Sequence, residues 1–122
     1  MNNVAGYMDI KRKPMLHEEK LLEALIKKST IPIHSDWNKG LMVCPMNDGG
    51  MGSLLLFPNG EIKKGRKFGK RISELQFKDQ DGVDVIASLN TDQDCDLFEL
   101  DIWKTDFSKL ISLSLRDNDK DD

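Results

Sequence analysis

The first periodic segment of the chain predicts an amphipathic helix that begins near Pro14. Its apolar positions follow the i, i+1, i+4, i+5 spacing of one helix face: Leu21, Leu22, Leu25 and Ile26. Glu18 and Glu19 fall in the first turn, where acidic side chains suit the positive end of the helix dipole. The segment Ser29–Pro32 should end the helix, because the residue before a proline avoids the α region.

From residue 41 onward the apolar positions alternate with polar ones, which is the period of a half-buried β-strand. We predict five strands: Leu41–Cys44, Gly52–Phe57, Lys70–Lys78, Val83–Asn90 and Leu97–Lys104. The first two should form a hairpin, and the last three a meander with turns at 79–82 and 90–94. Apolar residues between Phe107 and Leu115 predict a short helical turn or a last strand.

These elements predict one α+β domain, in which an N-terminal amphipathic helix packs on a mainly antiparallel sheet built from a hairpin and a meander. A chain of 122 residues has room for a single domain. We assign residues 1–12 to a flexible N-terminal arm, 13–115 to the domain and 116–122 to an acidic tail.

The composition is that of a globular protein, with 39% hydrophobic and 32% charged residues. The first ten residues lack the apolar region of a secretory signal, and no apolar run approaches the length of a membrane helix. With no export signal, Cys44 and Cys95 are expected to be reduced thiols. We therefore expect a cytoplasmic protein that has no membrane partner.

The formal net charge of −3 hides a segregation of charge along the chain. The segment 63–71 is basic through Lys63, Lys64, Arg66, Lys67, Lys70 and Arg71. From Asp79 to Asp106 the chain is strongly acidic, and Lys104 is the only basic residue there. Segregated charge favours oriented contact with a charged partner over general attachment to nucleic acid.

The glycine-rich stretch from Asp48 to Ser53 could cradle a phosphate with its backbone N–H groups. A P-loop, however, needs Gly-Lys-Ser/Thr at the start of a helix, and here a strand follows. A tight β-hairpin whose glycines adopt positive φ explains the stretch better. Met51 beside Gly49 and Gly50 is also typical of an adaptable contact surface.

The last predicted strand places Glu99, Asp101 and Trp103 on one face. Two carboxylates so placed could serve acid–base or metal chemistry, but any half-exposed strand produces the same spacing.

Two other acidic patterns in the sequence partly resemble known metal-binding sites. The run Asp92–Asp96 resembles the start of a calcium loop but has Leu97 at its sixth position and Trp103 at its twelfth. Asp48 together with Glu61 and Lys63 loosely matches the metal-binding motif of a magnesium-dependent nuclease. Chance produces such a match as easily as a shared function does. We predict no metal, no cofactor and no catalytic residue.

The basic segment 63–71 has three interpretations. The first interpretation is a solvated loop without a function in binding. The second is a docking patch for an acidic protein, formed by Lys67, Lys70 and Arg71. Nucleic-acid binding is disfavoured, because the acidic second half of the chain would repel a phosphate backbone.

Two stretches, Pro45–Leu54 and Leu97–Phe107, resemble an uncharacterised family of small bacterial domains, a domain of unknown function. The helix start Glu18–Leu22 is similar as well, so the resemblance runs from about Lys13 to Leu115. It implies no established activity, and therefore no catalytic residue. It does imply that the hairpin loop and the Glu99–Trp103 strand belong together. Such stand-alone domains look like the immunity proteins of bacterial toxin systems.

Two functional hypotheses follow. The leading one is a non-enzymatic bacterial protein-binding module, of which an immunity-type inhibitor of a toxin is one form. Its contact surface would comprise Asp48, Gly49, Gly50, Met51, Glu99, Asp101 and Trp103. The alternative is a small enzyme or ligand-binding domain that uses Asp48, Glu99 and Asp101 near the glycine-rich hairpin.

Overall fold

A computed structural model describes residues 11–112 and confirms the predicted α+β class. In this part of the chain one helix, α1, precedes five strands, with a short 3₁₀ turn at Pro58–Gly60 between the second and third strands. The bounds are α1 Leu16–Lys27, β1 Met42–Pro45, β2 Leu54–Phe57, β3 Phe68–Lys78, β4 Asp84–Asp92 and β5 Leu97–Lys104. Within these residues, no helix is long and apolar enough to cross a membrane. Both cysteines are free, Cys44 buried and Cys95 exposed.

The five strands form one antiparallel sheet in the order β1-β2-β5-β4-β3. The predicted hairpin is β1–β2 and the predicted meander is β3–β4–β5. Because β5 also pairs with β2, with Leu54 opposite Leu100, hairpin and meander join edge to edge. This joint brings the end of the glycine-rich hairpin loop beside β5.

The hydrophobic core lies between α1 and one face of the sheet. From the helix it takes Leu21, Leu22 and Leu25, all fully buried. The sheet contributes alternate residues that face the helix, among them Leu56, Leu75, Phe77, Val85, Ala87, Leu89, Leu100 and Ile102. The period-2 pattern of the sequence therefore corresponds to the two faces of the sheet.

The start of α1 is fixed by a buried carboxylate. Glu18, 5% exposed, accepts a hydrogen bond from the Met15 N–H at 2.8 Å and two from the Arg12 guanidinium at 2.7 and 2.9 Å. Burial raises the pKa of Glu18, but the hydrogen bonds from Arg12 and Met15 outweigh it, and the net pKa is lowered. Arg12 also pairs through its backbone with Val43 of β1, so these contacts join the helix to the sheet edge.

The structure corrects the end of β4 and the position of the turn that follows it. Strand β4 continues to Asp92, and the reversal comes at residues 93–96 instead of 90–94. The carboxylate of Asp92 makes this later turn by accepting the N–H groups of Asp94 at 2.9 Å and Asp96 at 3.0 Å.

The prediction of a helical turn or last strand after β5 is wrong for residues 105–112, which contain neither. Phe107 has φ of 62°, a conformation that belongs to neither element. The N–H groups of Ile111 and Ser112 bond to a side chain instead of to a helix or a strand. Leu113 and Leu115 lie outside the described residues, as do positions 1–10 of the predicted arm and the acidic tail.

Candidate functional site

The face of the sheet opposite α1 carries the three predicted residues of β5. Glu99, Asp101 and Trp103 lie opposite Asn90, Ser88 and Ile86 of β4, and therefore share one face. Trp103 is 41% exposed and packs against Phe107, itself 71% exposed, with ring centroids 5.8 Å apart and planes tilted by 50°. A large aromatic pair is therefore accessible beside an exposed carboxylate, Asp101.

The glycine-rich loop between β1 and β2 is organised around Asp48. Its carboxylate accepts the N–H groups of Met51 at 3.1 Å and Ser53 at 2.9 Å. Burial raises the pKa of Asp48, but the hydrogen bonds from Ser53 and Met51 outweigh it and lower the net pKa. Gly49 and Gly50 are exposed and have φ of 76° and 84°, which agrees with the predicted hairpin and its positive-φ glycines.

Ser53 connects this loop to β5. Its hydroxyl accepts the N–H of Ile102 at 2.8 Å and donates to the Ile102 carbonyl at 3.2 Å, continuing the β2–β5 pairing with a side chain. The same hydroxyl lies 3.4 Å from the Asp101 carboxylate. Asp48 and Asp101 thus contact the same serine, Asp48 through the serine N–H and Asp101 through the serine hydroxyl, while Glu99 lies two residues before Asp101 in β5.

The structure brings Asp48 and Asp101 to one serine, and Glu99 and Trp103 share the sheet face of Asp101. We call Asp48, Gly49, Gly50, Met51, Glu99, Asp101 and Trp103 the Trp103 surface. Their role in binding stays a prediction.

Sequence reasoning missed the segment 105–112, which borders this surface. The Leu110 N–H donates to the Gly50 carbonyl at 3.2 Å, and the aliphatic part of Lys109 lies against Gly50. Phe107, the neighbour of Trp103, belongs to the same segment. The glycine-rich loop, β5 and this segment therefore form one continuous surface.

A buried ion cluster holds the segment in place, and we call Lys104, Asp79 and Asp81 the Lys104 cluster. The Lys104 ammonium is 1% exposed and donates to Asp79 at 2.8 Å, to Asp81 at 2.6 Å and to the Lys109 carbonyl at 3.2 Å. The fully buried Asp79 carboxylate also accepts the backbone N–H groups of Ile111 at 2.7 Å and Ser112 at 3.0 Å.

The hydrogen bonds and the ion pair of the Lys104 cluster keep the Asp79 carboxylate ionised. Burial alone would raise the pKa of Asp79, but the N–H of Ile111, the ammonium of Lys104 and two further N–H groups lower it to about 2. Burial likewise disfavours the charged form of Lys104, but the two aspartates outweigh it and the pKa of Lys104 is raised. A signal for the cluster was present in the sequence, since Lys104 is the one base of the acidic stretch and continues the inward series Leu100, Ile102.

The basic segment is partly neutralised in the folded chain. Arg66 is largely buried; it pairs with Asp92 at 2.8 Å, donates to the carbonyls of Leu56 and Leu97, and stacks over the Phe98 ring. The remaining ion pairs of the segment join Lys63 to Asp96 at 3.7 Å and Arg71 to Glu74 at 3.1 Å.

Of the predicted basic patch, Lys67 and Lys70 are exposed, and within residues 11–112 neither has a carboxylate partner. Arg71, the third member, is the one that pairs with Glu74. The docking role of Lys67, Lys70 and Arg71 stays a prediction. Because Arg71 pairs with Glu74, the patch has fewer free cations than the sequence indicates.

Neither of the two acidic patterns that resemble metal sites in the sequence forms a metal site among the described residues. Asp92, the first residue of the calcium-like run, is 2% exposed and engaged by Arg66 and by the turn it caps. Asp48 precedes β2 and Glu61 follows it, so the two lie toward opposite ends of that strand. Across residues 11–112 no three His, Cys, Asp or Glu side chains cluster as metal ligands.

Two concavities in the described part lie away from the three carboxylates of the alternative hypothesis. One of about 10 Å³, enough for one water, is lined by Pro58, Glu61, Lys63, Arg66 and Asp96. A larger one of about 150 Å³ lies on the exposed side of α1. Drug-sized ligands occupy roughly 300 Å³ or more, so neither concavity is a substrate pocket of that size.

Comparison with known proteins places the chain in a family. Searches against curated proteins and against solved structures gave no match. The family model described as "Domain of unknown function (DUF6984)" matches residues 11–114, which include α1, the whole sheet and the Trp103 surface. The chain therefore belongs to the DUF6984 family, a domain of unknown function.

Proposed function

We propose that this domain is a non-enzymatic protein-binding module and that the Trp103 surface is its contact surface. The observation that carries the proposal is the exposed pair Trp103–Phe107 beside the exposed Asp101 on the face of the sheet opposite α1. Tryptophan is the residue type most enriched among the energetic centres of protein interfaces. The sheet and the Ser53 contacts hold the surrounding groups in position, which lowers the entropic cost of binding.

The exposed carboxylates beside the aromatic pair favour a basic partner, and the exposed Lys109 lies against Gly50 at the loop end of the surface. Asp101 and Asp106 are exposed carboxylates near the aromatic pair, and Glu99 is half-buried beside them. The nearby Lys104 ammonium is buried and already paired with two aspartates. A partner surface rich in lysine or arginine would meet both carboxylates and aromatic faces, which attract cations.

Within this class we propose an immunity-type role in a bacterial host, in which binding blocks a toxin. The single small domain and the resemblance of its sequence to small bacterial domains that look like immunity proteins support this role. The partner is then a toxin encoded beside the domain, with a basic face that the Trp103 surface covers.

The test measures binding of the full chain to the purified products of the adjacent genes by calorimetry. Trp103→Ala should weaken binding at least about 30-fold, the loss of a central interface anchor. The matched control is Phe68→Ala, which removes an aromatic side chain that is 58% exposed at the far end of the sheet. Phe68→Ala should leave the affinity unchanged.

Two results would count against the proposal. Equal affinities for wild type, Trp103→Ala and Phe68→Ala would remove the Trp103 surface from the interface. If no adjacent gene product binds, retention of host proteins on immobilised wild type and Trp103→Ala is compared. The absence of any protein whose retention depends on Trp103 would then overturn the binding function.

A further inference from the structure

Strand β3 ends the sheet, so the outer edge of β3 has no neighbouring strand among the described residues. The pairing of β4 establishes which β3 residues face outward. The Asp84 carbonyl accepts from Thr105 on the β5 side, and the Val83 carbonyl accepts from Asp79 on the β3 side. Even-numbered β4 residues therefore bond to β5 and odd-numbered ones to β3.

By the same alternation, the odd-numbered residues of β3 from Ser73 to Phe77 bond inward to β4. Leu75 opposes Ala87 and Phe77 opposes Val85, so the N–H and C=O groups of Glu74, Gln76 and Lys78 point outward. An independent contact agrees, because the outward carbonyl of Ile72 accepts the N–H of Thr30 at 2.8 Å.

The open part of this edge runs from Glu74 to Lys78. Before Glu74 along β3, the Thr30 N–H occupies the outward carbonyl of Ile72. The pairing register of β3 with β4 also shifts at this point. Within residues 11–112, no backbone hydrogen bond outside the sheet engages the outward groups of Glu74, Gln76 or Lys78. All three side chains are exposed, and they lie on the face of the sheet that carries Trp103.

We propose that a second copy of this chain pairs with the edge of β3, antiparallel and with a two-fold axis at Gln76. In this register Gln76 lies opposite Gln76 of the second copy, and Glu74 lies opposite Lys78. Each of these residues faces outward, so each opposed pair exchanges two N–H···O bonds. Within its own chain, Glu74 pairs with Arg71 at 3.1 Å and Lys78 pairs with Asp84 at 2.8 Å, and all four side chains are at least 39% exposed. In the dimer each Glu74 would also meet a lysine of the second copy, and the two-fold axis would create this opposite-charge pair twice.

Other registers lose these advantages. A two-fold axis at Leu75 would place Lys78 opposite Ile72, whose carbonyl is already bonded to Thr30. An axis at Phe77 would place Lys78 opposite Gln76 and leave Glu74 without a lysine. Charged side chains on an edge strand normally discourage pairing with other chains. Here their order along the strand leaves one favourable register for a second copy.

The pairing would make a continuous ten-stranded sheet with both helices on one side. Both Trp103 surfaces would lie on the other side, because a two-fold axis perpendicular to a sheet preserves its faces. Five inter-strand spacings would separate the two β5 strands, roughly 24 Å. The interface would be small, so the dimer should form and dissociate readily with concentration.

The test measures the dimer dissociation constant of the full chain by sedimentation equilibrium. Glu74→Lys places lysine opposite lysine, and Lys78→Glu places glutamate opposite glutamate. Each single variant should dimerise at least about tenfold more weakly than wild type. An equimolar mixture of the two variants restores both opposite-charge pairs and should form heterodimers with the wild-type constant.

The controls separate this register from general charge effects. Glu23→Lys and Lys27→Glu make the same charge changes on exposed residues of α1 and should leave the dimer constant unchanged. Gln76→Pro removes one outward N–H, which an edge strand tolerates, and should abolish dimerisation while circular dichroism stays that of the wild type. A wild type that remains monomeric at millimolar concentration would overturn the proposal. So would a mixture that dimerises no better than the single variants.

Discussion

Two regions of the sheet each carry an exposed aromatic residue among charged neighbours, Phe68 at the start of β3 and Trp103 near the end of β5, yet they use their charges differently. In the basic region, near Phe68, three of the basic residues are tied to carboxylates: Lys63, Arg66 and Arg71. Near Trp103, the Lys104 ammonium is buried and paired with two aspartates, whereas the carboxylate of Asp101 remains exposed. A charge run in a sequence therefore overstates the surface charge wherever its members hold the fold together.

The largest effect should come from breaking the Lys104 cluster. Asp79→Ala leaves the Lys104 ammonium buried with Asp81 alone and removes the acceptor of the Ile111 and Ser112 N–H groups. Removal of one partner of a buried ion pair costs about 3–5 kcal/mol, and we expect a loss of this size in urea denaturation. Asp94→Ala, which removes an exposed carboxylate, should change stability by less than about 0.5 kcal/mol. Equal losses in both variants would show that the cluster does not stabilise the fold.

A comparable contrast is expected between two adjacent basic residues. Arg66→Ala removes the partner of the buried Asp92 and the donor to two carbonyls, so it should cost about 3 kcal/mol. Lys67→Ala removes an exposed side chain whose residue is held through its backbone by Gln93, and should cost less than about 0.5 kcal/mol. If the two variants unfold at the same urea concentration, the structural role of Arg66 is wrong.

These residues show what the sequence could and could not predict. The spacing of apolar residues predicted α1 and the strands, because burial of one face of a helix or strand produces that spacing. The placement of Glu99, Asp101 and Trp103 on one face of β5 followed from the same alternation. The partners of charged side chains are different, since Lys104 meets Asp79 across 25 residues and Arg66 meets Asp92 across 26. Such pairs depend on the order of strands in the sheet, and local patterns do not specify that order.

The pH dependence of stability tests the state of Asp79. Its pKa of about 2 in the folded chain lies below the ordinary 3.8, so its stabilising effect is present above pH 4 and is lost as the pH falls toward 2. The stability difference between wild type and Asp79→Asn should therefore shrink by roughly 2 kcal/mol between pH 7 and pH 2. A difference that stays constant across this range would contradict the buried ionised carboxylate.

The smallest effects should come from the two exposed aromatics themselves. Trp103→Ala and Phe68→Ala each remove a side chain that is at least two-fifths exposed, so each should lower stability by less than about 1 kcal/mol. Thermal unfolding of the two variants checks this, and it also shows that a binding defect of Trp103→Ala is not a folding defect. A large loss for Trp103→Ala alone would mean that this residue serves the fold.

The acceptor role of Asp79 also gives the molecule a local reporter. The amides of Ile111 and Ser112 belong to no helix or strand, yet both donate to this buried carboxylate. Their hydrogen–deuterium exchange should be slow for an irregular segment, and its rate should follow the opening of the Lys104 cluster. Exchange at these two positions therefore provides a direct reading of whether the segment beside Trp103 is closed or open.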